Sequence, residues 1–188
     1  MGLDMYLSKR TYVKNWDFMT NEEKHQVSVK KNGKKHPFIN PDKVTYITEE
    51  CAYWRKANAI HAWFVSNVQD DVDDCKEYWV TKDQLQELYD ACVLVRDNSK
   101  MVETKIENGY SLNEDGSKNI NFIDGRKIED PSVAEDLLPS QSGFFFGSTD
   151  YDQFYMEDIE NTIKMLEPEL KTEYGRRDEP EYYYRASW

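Results

Sequence analysis

The chain has 188 residues, with 36 acidic and 24 basic side chains and a net charge of −12. A surface of that sign repels nucleic-acid backbone and anionic lipid, which excludes a general DNA, RNA or membrane-surface binder. Aromatic residues make up 14%, too many for global disorder, and the length suits a single domain with a core of its own.

The longest apolar stretches, around Ala62–Val65 and Phe144–Phe146, are too short to span a bilayer. The first residues lack the basic region and apolar run of a signal peptide, and Tyr6 stands where a myristoylation signal needs Ser or Thr. The expectation is a soluble cytoplasmic protein. Cys51, Cys75 and Cys92 are odd in number and widely spaced, which argues against a disulfide framework. His25, His36 and His61 form no metal-ligand pattern, so neither a metal nor a cofactor is expected. Charge is unevenly spread. Residues 1–60 hold 11 bases and 7 acids, whereas the remainder is strongly acidic and includes Asp70, Asp71, Asp73 and Asp74.

In chain order, Leu3–Leu7 and Thr11–Val13 read as a strand. Gln26–Lys31 and Val44–Thr48 read as short strands either side of the turn dipeptide Asn32-Gly33, which places Lys30, Lys31, Lys34 and Lys35 at a hairpin tip. Glu49 to about Val68 reads as a helix capped by Thr48, with Glu49 and Glu50 at the positive end of its dipole. Glu77–Val80 reads as a strand. Thr81 and Gln84 form a capping box that opens a helix to about Asp97, with Leu85, Leu88, Cys92 and Val95 on one face. Residues 98–131 look like a hairpin or mobile insertion, with weak strands at Ile106–Leu112 and Asn119–Ile123. Asn113, Asp115, Ser117 and Asn119 set oxygens at alternate positions, but Lys118 stands where a calcium loop needs Gly, so a turn is the better reading. Val133–Leu138 reads as a short helix. Gly143–Gly147 reads as a short apolar strand leading to a helix capped by Asp150. That helix runs from about Tyr151 to Leu170, with Tyr155, Ile159, Thr162, Ile163 and Leu166 inward and Pro168 near its end. The aromatic tail Glu181–Trp188 suits a sheet edge. Together these elements predict an α+β fold: one domain with a small mixed or antiparallel sheet against about three main helices.

On the predicted helix Glu49–Val68, Trp54, Asn58 and His61 form a stripe beside the core face and Arg55 lies further round. The stripe offers an aromatic plane, an amide and an imidazole as a pocket wall, while a buried face with satisfied polar groups fits it as well. The second candidate is Phe144, Phe145 and Phe146 with Tyr151, Asp152 and Tyr155. No nucleophile motif or phosphate loop is present. Cys51, ten residues before His61 on one continuous helix, would lie about 15 Å from it. His61 with Asp152 or Asp158 is a conceivable acid–base pair.

Three segments carry a resemblance: MGLDMYL at the start, YWRKANAIHAWFV at Tyr53–Val65, and LPSQSGFFFG at Leu138–Gly147 followed by Tyr151-Asp152. Together they resemble a family of small bacteriophage and prophage proteins of no established activity; residues 98–135 carry no part of it. The resemblance implies an accessory protein acting in the bacterial cytoplasm. The leading expectation is stoichiometric binding and inhibition of a host protein, such as a defence or nucleic-acid-handling protein, in an anti-CRISPR-like manner, through the acidic face around Asp70, Asp71, Asp73 and Asp74. The alternatives are a nucleotide-binding protein using Trp54, Arg55, Asn58 and His61, and an enzyme acting on nucleotides or nucleic acid.

Overall fold

The sheet at the centre of the chain is built from β1 (Asp4–Tyr12), β4 (Tyr46–Arg55), β5 (Glu77–Val80) and β8 (Glu181–Ser187). Its order is β4-β1-β8-β5, with every neighbouring pair antiparallel. The computed structural model describes residues 2–113, 115–143, 146–175 and 178–188. Helices α1 (Asn58–Val68), α2 (Lys82–Asn98) and α4 (Gln153–Lys171) cover one face of the sheet. Under them lie Leu3, Met5 and Leu7, Ala52 and Trp54, Val80, and Tyr182, Tyr184 and Ala186, the inward set of each strand at period two. Tyr53, Trp79 and Arg185 face outward. The expected α+β class and antiparallel sheet are therefore present.

Outside this body, β2 (Lys30–Lys31) and β3 (Lys34–Lys35) form the lysine hairpin around Asn32 and Gly33, both at positive φ, as a tight two-residue turn requires. A ribbon of β6 (Met101–Leu112) and β7 (Lys118–Ile128) pairs only with itself among the described strands. Asp115 closes it, accepting from the backbone and hydroxyl of Ser117, so the alternating oxygens make a turn. A short helix α3 (Ser132–Leu137) follows.

The strongest local signals hold. Thr81 and Gln84 make both bonds of the capping box, and Leu85, Leu88, Cys92 and Val95 are buried on α2. All five inward residues expected on α4 are buried.

Four expectations need correction. The long helix from Glu49 does not exist: Tyr46–Arg55 is strand β4, paired along its length with β1, and Lys56 at φ 62° turns the chain into α1. Tyr53 consequently points outward, and Cys51 lies on a strand rather than on the helix of His61. The tail is an internal strand, not an edge, because β8 sits between β1 and β5. The last helix is capped by Asp152, whose Oδ1 accepts from Phe154 and Tyr155 N–H, while Asp150 is drawn 3.3 Å from Lys127 on β7. No strand forms among the described residues of 143–147, and Phe144 and Phe145 lie outside the described residues.

Candidate functional site

The side chains expected to wall one pocket are largely consumed by internal bonds. Trp54 is buried on β4 and donates from Nε1 to Thr162 Oγ1 of α4 at 2.8 Å. Asn58, at the start of α1, ties down the segment after α3. Its Nδ2 donates to the carbonyls of Phe146 and Ser148, and its Oδ1 accepts from Gln141 N–H. That fold-back brings Gly147 against Lys56, where a Cβ would meet the lysine Cβ at 3.3 Å and φ is +91°. Tyr151 accepts from Ser140 N–H, and Tyr155 donates to the Leu138 carbonyl. Phe146 is buried, its ring edge-on to His61 at 5.2 Å.

His61 is fully buried. Its Nε2 lies 3.1 Å from Asp73 Oδ1 and its Nδ1 lies 2.8 Å from the Tyr184 hydroxyl. An ionised Asp73 only accepts, so the network assigns the proton to Nε2 and leaves Nδ1 to accept from Tyr184. Burial holds the imidazole below its usual pKa, against the opposing pull of Asp73. The expected His61–Asp152 or His61–Asp158 acid–base pair is not formed, because both ring nitrogens are occupied elsewhere.

The acidic run divides by role. Asp73 holds His61. Asp74 accepts from Lys76 N–H and pairs with its ammonium at 2.7 Å. Asp70 and Asp71 adopt left-handed conformations in the turn after α1 and are exposed.

A cleft of about 380 Å³ opens between the first turn of α1, the start of α4 and the bulge of β6 at Glu107–Gly109. It gathers Arg55, Asn58, Asp152 and Tyr155 from the expected set, together with Glu157 and Asp158. Neither Trp54, His61, Phe146 nor Tyr151 lines it. Arg55 and Lys56 on one wall make no ion pair among the described residues. Asp158 on the other wall is half-buried, and burial, helped by the charges of Glu157 and Asp152, pushes its carboxyl up to about 7. Asp152 is 1% exposed, and its Oδ2 has no hydrogen-bond partner among the described residues. No group of three His, Cys, Asp or Glu among the described residues is placed to hold a metal ion.

The second feature is the ribbon. Tyr110 faces Ile120 across it and Leu112 faces Lys118; two residues on from Ile120 comes Phe122. The pleat puts all of these on one side. Tyr110, Leu112, Ile120 and Phe122 are 44–66% exposed. By contrast, the aromatic hydroxyls on the open face of the main sheet are engaged, Tyr53 with Asp4 and Tyr183 with Glu181. The ribbon face escaped the sequence reading, although its signal was there: two x-apolar-x-apolar runs flanking a turn.

No family model, curated protein or solved structure matches the chain. No helix among the described residues is long and apolar enough to cross a membrane.

Proposed function

We propose that the protein acts by stoichiometric binding to another protein, with the exposed apolar face of the β6–β7 ribbon as its anchor. The observation that carries this reading is the alignment of Tyr110, Leu112, Ile120 and Phe122, all exposed, on one side of a two-stranded ribbon, with the Lys118 ammonium 4.4 Å over the Tyr110 ring. Contiguous exposed apolar side chains mark interaction sites, and aromatic anchors dominate interface energetics. Residues 101–128 hold five acids and four bases, so the ribbon approaches a partner without the repulsion of the acidic body. The body then steers the encounter toward a basic surface, with exposed Asp70 and Asp71 on its rim. The resemblance to phage proteins makes a host defence or nucleic-acid-handling protein the class of target, and occupation of a nucleic-acid groove the mode of inhibition.

The test is capture from host lysate on tagged wild type and on a Tyr110→Ser/Phe122→Ser variant, with mass spectrometry and a fold check by circular dichroism. A partner retained in near-equimolar amount by wild type and lost by the folded variant supports the reading. Equal retention by both sinks the ribbon as anchor. Loss of the same partner in raised salt supports the steering role of the acidic body.

A further inference from the structure

The cleft between α1 and α4 is not needed for protein binding by the ribbon, and its walls ask for a ligand of definite chemistry. We propose that it binds a primary ammonium group, with the carboxylates of Asp152 and Asp158 as acceptors.

Asp152 supplies the first reason. Its Oδ1 is spent on the N–H groups of Phe154 and Tyr155, but Oδ2 is buried without a donor on a residue that lines the cleft. A buried carboxylate oxygen is normally satisfied, and an unsatisfied one calls for an ion, a water or a ligand. The second reason is Asp158, in the same lining and six positions further along the chain. Its side chain forms no hydrogen bond or ion pair among the described residues. Two acceptors lining one cleft without donors suit a group that carries several N–H donors and one positive charge; an ammonium has three. Phe154, exposed at the mouth, adds a ring face for the cation or its alkyl chain. The cleft volume of about 380 Å³ is within the range of small-ligand sites.

The charged groups that share a lining with Asp158 are Asp150, Asp152 and Glu157 around the start of α4, Arg55 and Lys56 opposite, Glu107 on the ribbon bulge, and Lys164 further along α4. Arg55 remains beyond ion-pair distance. An ammonium bound at Asp158 favours its ionised form, so affinity rises as the medium is taken from mildly acid to mildly alkaline.

The same ammonium chemistry reaches the cleft either from a free amine or from a lysine side chain of a partner. The experiment is amide NMR titration of the full chain with butylammonium chloride, using butanol as the uncharged analogue and sodium chloride at equal ionic strength. Expected are saturable shifts confined to residues 55–60 and 150–159, absent with butanol and weakened about tenfold or more in Asp158→Asn. Thr162 bonds the backbone carbonyl of Asp158 rather than its side chain, so that variant keeps its fold. Asp152→Asn, which retains a capping oxygen, is the second variant and weakens binding similarly. Shifts scattered over the acidic surface, equal response to butanol, or unchanged affinity in both folded variants overturn the proposal. A peptide with one free lysine side chain that binds the same residues more tightly than butylammonium assigns the ligand to a partner; weaker binding assigns it to a free amine.

Discussion

His61 of α1 and Tyr184 of β8, 123 positions apart in the chain, meet at 2.8 Å with both side chains shut off from solvent. The bond pins the first covering helix to an internal strand of the sheet, and Asp73 closes the other side of the ring from the loop after α1. Tyr184 also stacks on Phe64 with ring centres 3.8 Å apart. Tyr184→Phe keeps that stack and removes only the hydroxyl. The imidazole Nδ1 is then buried without a donor, at an expected cost of about 1–3 kcal/mol in equilibrium urea unfolding. A loss indistinguishable from zero refutes the pinning role.

The same histidine makes stability fall in acid. Burial lowers its folded pKa below the unfolded value, so in the window beneath about pH 6.5 the unfolded chain binds a proton that the folded chain refuses. Stability is thus full above that window and declines as pH drops through it. His61→Gln is less stable at neutral pH but shows a shallower decline into mild acid. Urea midpoints in an Asp158→Asn background read the slope cleanly, and an equal slope in both chains refutes the assignment.

The sequence was legible where structure is decided locally. The Thr81–Gln84 capping box, the inward faces of α2 and α4, and the Asn32-Gly33 turn each depend on residues within a few positions. It misled where partners are distant. Thr48-Glu49-Glu50 imitates a helix start, yet pairing with β1 pulls Tyr46–Arg55 into a strand, and the alternation of Ala52 and Trp54 inward with Tyr53 and Arg55 outward is the period of that strand. The site was half legible for the same reason. Asn58 and His61 stood out as polar groups on an apolar face, but their bonds reach Phe146, Ser148 and Tyr184, between 88 and 123 residues away. No local pattern reports that Asp152 Oδ2 is buried without a donor.

Trp54 and Thr162 fasten β4 to α4 through one buried hydrogen bond. Thr162 accepts from the indole and donates its own hydroxyl to the Asp158 backbone carbonyl. Thr162→Val preserves the shape and strands the indole N–H, so a loss of about 1–3 kcal/mol is expected. Thr162→Ser keeps the hydroxyl and should lose less. A Val variant as stable as the Ser variant shows that the bond contributes nothing.

Asn58 makes three bonds to the segment between α3 and α4. Asn58→Ala releases the Phe146 and Ser148 carbonyls and the Gln141 N–H together. Global stability should fall by roughly 2–4 kcal/mol, given a buried side chain and three lost partners. Hydrogen exchange should quicken at residues 140–148 before it does in α2, since the loop loses its anchor while the helix core is untouched. Uniform acceleration across the chain contradicts a local clasp.

Asp158 opposes His61 in the same pH range. Its folded carboxyl titrates near 7 rather than at its ordinary 3.8, chiefly through burial, so between those values the folded chain holds a proton that the unfolded chain has lost. Folding is consequently weakened as pH rises from about 4 to about 7 and stays weakened above it. The full shift corresponds to a ceiling of about 4 kcal/mol, and partial solvent access reduces the expected penalty to roughly 1–3 kcal/mol. Asp158→Asn removes the ionisation without changing shape. It should stabilise the protein at pH 8 by that amount and be nearly neutral at pH 5, where the native carboxyl is already protonated. Urea unfolding at the two values decides the matter. A gain of equal size at both would place its origin in packing, and a loss at pH 8 would mean that the ionised carboxylate already has a partner in the folded chain.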